Sequence, residues 1–176
     1  MRVVIHQPYF LPWLGYMSKL AFCDLFVVLD DVLFSKRHYI DRTRIVNMQG
    51  DLQWIGIPVG QNLGVPCRDI RFIDFTHAEM LVRTLSCSYA KADHYGHEFP
   101  YLSYLLRSVF SQFSTIVEIN VALLTALYEY TTNRRIPIIM SSTLHTPNEP
   151  TQRILSICKQ TGASEIVVGA GSSLHL

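Results

Sequence analysis

The chain has 176 residues, 49% hydrophobic and 16% charged, so it can fill a core and is too apolar to be disordered. Fifteen Lys and Arg against fourteen Asp and Glu leave a net charge of +1, spread evenly along the chain. That excludes a global field able to hold a nucleic acid or an anionic membrane, and leaves room only for a small local anion site.

Met1 leads straight into Arg2-Val3-Val4-Ile5, a strand pattern rather than a signal peptide, and no apolar run is long enough to span a membrane. A cytoplasmic location is the expectation. Residues 2–5 and 25–29 read as strands buried on both faces, with a short helix over 14–22 between them, a βαβ unit. Residues 53–59 and 70–75 read as a second strand pair, joined as a hairpin by the turn-rich Gly60-Gln61-Asn62-Leu63-Gly64-Val65-Pro66. Leu81, Leu85 and Tyr89 recur at helical spacing within 76–93, and further helices are expected over 101–113 and 117–132. A buried strand over 136–140 follows, then a helix capped at Asn148 or Thr151 and ending near Gly162, then a last strand over 165–168.

The expected fold is α/β: one domain over 1–176 with a mostly parallel, Rossmann-like sheet, an antiparallel pair and a helical insertion over about 76–133. Cys23, Cys67, Cys87 and Cys158 show no Cys-x-x-Cys spacing and are expected as buried free thiols. The apolar excess permits a homodimer.

In an open parallel sheet, ligands bind outside the carboxyl ends of the strands. Those ends carry His6-Gln7-Pro8, Asp30-Asp31, Ser141-Ser142-Thr143 and Gly169-Ala170-Gly171-Ser172, so a site is expected where they converge. Pro8 and Pro12 stiffen the loop after the first strand. On it, Tyr9 and Trp13 can stack on a flat ligand, and Gly15 allows close approach by a phosphate or a neighbouring strand. His6 is the candidate proton-transfer group, with Gln7 beside it. Ser35-Lys36-Arg37-His38-Tyr39-Ile40-Asp41-Arg42-Thr43-Arg44 packs four cations and one acid into a short stretch. It can clamp an anionic substrate, beside a divalent cation if Asp30 and Asp31 hold one; the alternative is a solvated surface paired to Asp41. His94, His97 and Glu98 have the spacing of a metal face, but Gly96 interrupts that helix and Pro100 is expected to close it. No Walker loop, no Gly-x-Ser-x-Gly and no Gly-x-Gly-x-x-Gly is present.

The opening His6-Gln7-Pro8-Tyr9-Phe10-Leu11-Pro12-Trp13-Leu14-Gly15-Tyr16, then Leu29-Asp30-Asp31-Val32, Phe34-Ser35-Lys36-Arg37, Arg42-Thr43-Arg44-Ile45, Trp54-Ile55-Gly56-Ile57-Pro58-Val59 and Ser141-Ser142 resemble the WbqC-like family. His6, Gln7, Pro12, Trp13, Gly15, Asp30, Asp31, Lys36, Arg42 and Arg44 match its pattern. The resemblance implies a transferase of O-antigen or other surface-polysaccharide biosynthesis, transferring a glycyl or other small acyl group to an amino sugar, with a small anionic or nucleotide-sugar substrate. The family usually continues past the last strand with a Gly-rich, Tyr-containing segment; Val168-Gly169-Ala170-Gly171-Ser172-Ser173 departs from it, which reads as truncation or shortening. A looser likeness is to nucleotidylyltransferases of the HIGH-motif type, which use nucleoside triphosphate and magnesium. Pro12-Trp13-Leu14-Gly15 lacks their histidine pair, and the likeness is one of fold alone. A non-catalytic nucleotide- or sugar-binding subunit is the remaining alternative.

Overall fold

The computed structural model describes residues 1–60, 64–74 and 76–169. The Val- and Ile-rich runs near the start form β1 (Arg2–His6) and β2 (Leu25–Val28), paired in parallel with Val3 opposite Leu25 and His6 opposite Val28. Helix α1 (Leu14–Ala21) connects them and buries Tyr16 and Leu20. β5 (Ile138–Met140) adds beside β2, and β6 (Glu165–Ile166) adds beside β1. The order is β5-β2-β1-β6, all parallel. Since side chains alternate along a strand, Val4, Phe26 and Val28 join the larger core with Tyr16 and Leu20. Val3, Leu25 and Val27 pack on Ile157 of α5 (Pro150–Thr161) on the other face. Chain direction across the sheet reverses at β1, so the topological switch point lies between β1 and β6.

The insertion consists of α2 (His77–Tyr89), α3 (Tyr95–Gln112) and α4 (Ile116–Thr132). A reciprocal box between Thr115 and Glu118 starts α4, and Asn133 ends it in the left-handed region. Helix α3 begins earlier than its expected start at 101, and Pro100 lies inside it rather than closing a preceding helix. The missing N–H removes one bond to the Gly96 carbonyl, and the buried Leu105, Leu106, Val109 and Phe110 hold the helix regardless.

The antiparallel pair differs from expectation in its partner. β3 (Arg42–Val46) pairs with β4 (Leu52–Gly56), with Arg44 opposite Trp54 and Val46 opposite Leu52. Of the expected pairing between 53–59 and 70–75, a single bridge survives, Val59 to Phe72. The basic cluster concealed a strand: Thr43 and Ile45 are buried while Arg44 and Val46 face out, a period of two beneath the charge pattern. Asn47 closes the hairpin by accepting the backbone N–H groups of Gln49 and Asp51, and Gly50 supplies the left-handed residue. Gln61, Asn62 and Leu63 of the expected turn, and Phe75 at the end of the expected strand, lie outside the described residues.

All four cysteines are free, but only Cys23 and Cys67 are buried; Cys158 is half-buried and Cys87 exposed. Among the described residues, no helix is long and apolar enough to cross a membrane.

Candidate functional site

The carboxyl ends of β2 and β5 are tied by a carboxylate–serine network. Asp30 is buried; its Oδ1 accepts the Ser141 hydroxyl at 3.1 Å and the Ser142 backbone N–H at 2.9 Å, while its Oδ2 accepts the Ser142 hydroxyl at 2.6 Å. Both oxygens are therefore committed to holding two strand ends together. Asp31 turns the other way: its Oδ1 shares the single Ser141 hydroxyl proton with Asp30 and, at 2.8 Å, accepts a guanidinium N–H of Arg153. Its Oδ2 makes no hydrogen bond among the described residues.

Arg153, from the first turn of α5, is buried; its Nε donates to the Pro147 carbonyl at 3.0 Å. Sequence reasoning missed it, because one arginine within an amphipathic helix reads as surface. Asp31 and Arg153 line a cavity of about 540 Å³ with Leu29, Val32, Leu33 and Ile154. The positive charge that answers the acids is thus a guanidinium. Among the described residues, no group of three or more His, Cys, Asp or Glu is arranged to hold a metal ion. Cys67, fully buried and within reach of Gln7 Nε2 at 3.8 Å, has its thiol pushed up to about 12 by burial and by the nearby Asp30 charge. It is not a nucleophile in that state.

His6 ends β1 with its ring edge-on to Tyr9 at 4.6 Å and to Tyr16 at 5.1 Å. Burial is the main cause that lowers its pKa to about 4, with the Lys19 charge adding to it. Near neutral pH it is an uncharged imidazole. Nδ1 lies 3.0 Å from the Gln7 carbonyl, which can only accept, so this nitrogen carries the proton and Nε2 is left as an acceptor. Tyr16 also donates to the Gln7 carbonyl, at 2.8 Å. Asn120 of α4, fully buried, donates to the carbonyls of Pro8 and Ile40 at 2.9 and 2.7 Å, pinning the proline loop to the basic segment.

At Gly15 the group that approaches closely is the neighbouring Trp13 ring. A Cβ there would lie 2.1 Å from the Trp13 ring, so glycine is what lets the indole lie back over the start of α1. Trp13 then walls a cleft of about 300 Å³ with Tyr39, Thr43 and Arg44. Ring contacts link that cleft to His6, since Tyr9 stands 5.5 Å from Tyr39 and Tyr39 stands 5.5 Å from Trp54.

Asp41 does not pair with the cations around it. Its carboxylate accepts the backbone N–H groups of Arg37 and His38, shaping a loop in which Arg37 has φ +66°. Lys36, Arg37, Arg42 and Arg44 have no carboxylate within 4.0 Å among the described residues. Arg42 lies over the Trp54 ring at 4.1 Å and donates to the Arg37 carbonyl at 2.7 Å, while its Nε is buried with no acceptor. Arg44 lies 5.3 Å from the same ring and donates to the Tyr39 hydroxyl at 2.9 Å. The side chains of Ser35 and Lys36 are exposed and make no hydrogen bond among the described residues.

The expected site residues thus fall into two groups. Asp30, Asp31, Ser141 and Ser142 form the network at the strand ends, while the Gln7 side chain turns to Cys67; Tyr9, Trp13, Arg42 and Arg44 belong to the aromatic and cationic face, with His6 at its inner end. His94 and His97 lie at the exposed start of α3, where His97 pairs with Glu98 at 3.0 Å. Ala170, Gly171 and Ser172 of the fourth expected strand end lie outside the described residues.

The model of the WbqC-like protein family matches residues 7–175. The uncharacterized protein Rv1507c of Mycobacterium tuberculosis is 32% identical over 178 residues, an alignment covering 99% of this chain and 75% of that protein. No solved structure matches.

Proposed function

This chain belongs to the WbqC-like protein family, and from that premise we propose that it is a cytoplasmic transferase of surface-polysaccharide assembly. It places a small acyl group, such as glycyl, on the amine of a nucleotide-linked amino sugar. The observation that carries this reading is the set of cations left without carboxylate partners beside the cleft of Trp13, Tyr39, Thr43 and Arg44. Guanidinium forks suit a diphosphate, and flat rings suit a base or the face of a sugar.

The amine attacks the carbonyl of an activated acyl donor, a thioester or ester. The new C–N bond forms as the donor's C–S or C–O bond breaks, and the proton lost by the amine passes through a carboxylate to the departing thiolate or alkoxide. His6, an uncharged imidazole near neutral pH with its proton on Nδ1, serves as a fixed hydrogen-bond acceptor through Nε2. Asp31, with Oδ2 uncommitted at a cavity, is the base. Asp30 and the two serines position it. The nucleotidylyltransferase alternative has no observation in its favour here, because Trp13 and Gly15 occupy the stretch where the histidine pair would stand.

NMR or calorimetric titration with nucleotide-linked amino sugars tests the reading. Saturable binding that perturbs Trp13 and Tyr39, weakened about tenfold or more in Arg44→Ala, is the expected result. Binding that is indifferent to Arg44→Ala, or no binding, overturns it. With Asp31→Asn, retained binding and lost transfer is expected; retained transfer would remove Asp31 as the base.

A further inference from the structure

Four exposed large apolar side chains share one hairpin. The outward face of the β3–β4 hairpin carries Val46, Leu52 and Trp54, with Met48 at its tip; Leu52 and Met48 are 66% and 64% exposed. Trp13 continues the patch across the cleft shared with Arg44, and the next residue, Leu14, is 88% exposed. Such a surface, in the open, marks an interface. Its charge decides the occupant. Residues 34–56 hold four cations, Lys36, Arg37, Arg42 and Arg44, against two acids, Asp41 and Asp51. Asp41 is committed to backbone N–H groups, and none of the four cations has a carboxylate within 4.0 Å among the described residues. A second copy docked by symmetry would set these cations against one another, whereas an anionic surface answers them.

We propose that this patch docks the protein on an anionic lipid bilayer. Met48, Leu52 and Leu14 enter the acyl boundary, Trp13 and Trp54 lie at the headgroup level, and the guanidiniums of Arg42 and Arg44 meet lipid phosphates. The chain's near-neutral total does not oppose this, because the interaction is read within a Debye length of the surface. The hairpin tip is suited to it, since the Asn47 side chain fixes the turn that presents Met48. The inference stands without the transferase reading; because Trp13 and Arg44 also line the cleft given to the nucleotide-linked sugar, bilayer and sugar compete for them.

The chain contains two tryptophans, and both lie on the patch, so intrinsic fluorescence reports docking directly. With vesicles of phosphatidylcholine and phosphatidylglycerol, flotation of the protein and a blue shift of the emission are expected. Vesicles of phosphatidylcholine alone should give neither, and raising salt from about 0.1 M to about 0.5 M should weaken the binding. The double variant Met48→Ser with Leu52→Ser replaces only exposed side chains, so thermal unfolding and nucleotide-sugar binding should not change while vesicle partition falls about tenfold or more. No flotation with the anionic vesicles overturns the proposal, as does equal flotation by the double variant. A dimer in sedimentation, with the blue shift already present without vesicles, would assign the patch to a second copy and also overturn it. Vesicle docking without nucleotide-sugar binding would remove the transferase reading alone.

Discussion

The network at the ends of β2 and β5 and the outward face of β3 and β4 are both polar, yet they handle charge in opposite ways. At the strand ends every charge is answered inside the protein: Asp30 accepts three hydrogen bonds and Asp31 is met by Arg153 at 2.8 Å. On the hairpin face and the loop before it, four cations stand without a carboxylate among the described residues, and a buried donor of Arg42 has no acceptor there. A buried charge must be paired because desolvation is costly, while an exposed one need not be. The first region therefore fixes geometry around the one Asp31 oxygen left free among the described residues, and the second is free to read a ligand. Variants that discharge one region or the other should separate stability from binding.

The largest effect is expected at Arg153. In Arg153→Met the Asp31 carboxylate stays largely buried with no cation, which should cost about 3 kcal/mol or more of unfolding free energy, measured by urea titration. Adding Asp31→Asn should recover part of that loss, because it removes the stranded charge. A cost below about 1 kcal/mol in Arg153→Met would mean that water reaches Asp31 freely, and the contrast between the two regions would fail.

Next comes the pH dependence set by His6. Its folded pKa of about 4 lies below the 6.5 of an unperturbed imidazole, so the unfolded chain binds the extra proton first. Stability is unaffected by this group above pH 6.5, falls as pH drops from 6.5 toward 4, and levels off below. The shift corresponds to about 3 kcal/mol across that window. His6→Asn should flatten the window in unfolding experiments taken from pH 7 to 4. An unchanged slope would show that the imidazole between Tyr9 and Tyr16 is already charged, and its role as a neutral acceptor would go with it.

Much of the sheet was legible in the chain because strands buried on both faces allow no polar alternate positions, as Val3, Val4 and Phe26 to Val28 show. The hairpin was not. Its inward Thr43 and Ile45 alternate with outward arginines inside a run that charge counting treats as a surface loop, and its turn relies on the Asn47 side chain rather than a familiar dipeptide. Arg153 was hidden for a different reason: its partner lies 122 residues away, and only the fold brings α5 to the end of β2. Asn120, at the centre of α4, likewise reads as an ordinary helix position until its two carbonyl partners are known. Gly15 was legible as a close-approach glycine, but what approaches it is the neighbouring indole.

The smallest effect on stability should come from the substitution with the clearest effect on binding. Arg44 is exposed, and its side chain makes one hydrogen bond among the described residues, to the Tyr39 hydroxyl, with a loose approach to Trp54 at 5.3 Å. Such contacts contribute little at a surface, so Arg44→Ala should move the unfolding free energy by less than about 0.5 kcal/mol. The neighbouring Arg42 carries the closer stack and the bond to the Arg37 carbonyl, so the hairpin keeps its shape without Arg44. Removing one of two guanidiniums that flank a single indole also relieves their mutual repulsion, which pushes the balance toward no net loss. A drop comparable to that of Arg153→Met would show Arg44 to be a structural pillar. The free cations would then be part of the scaffold, and the division between a region that holds shape and a region that reads anions would have to be redrawn around Arg42 and Lys36.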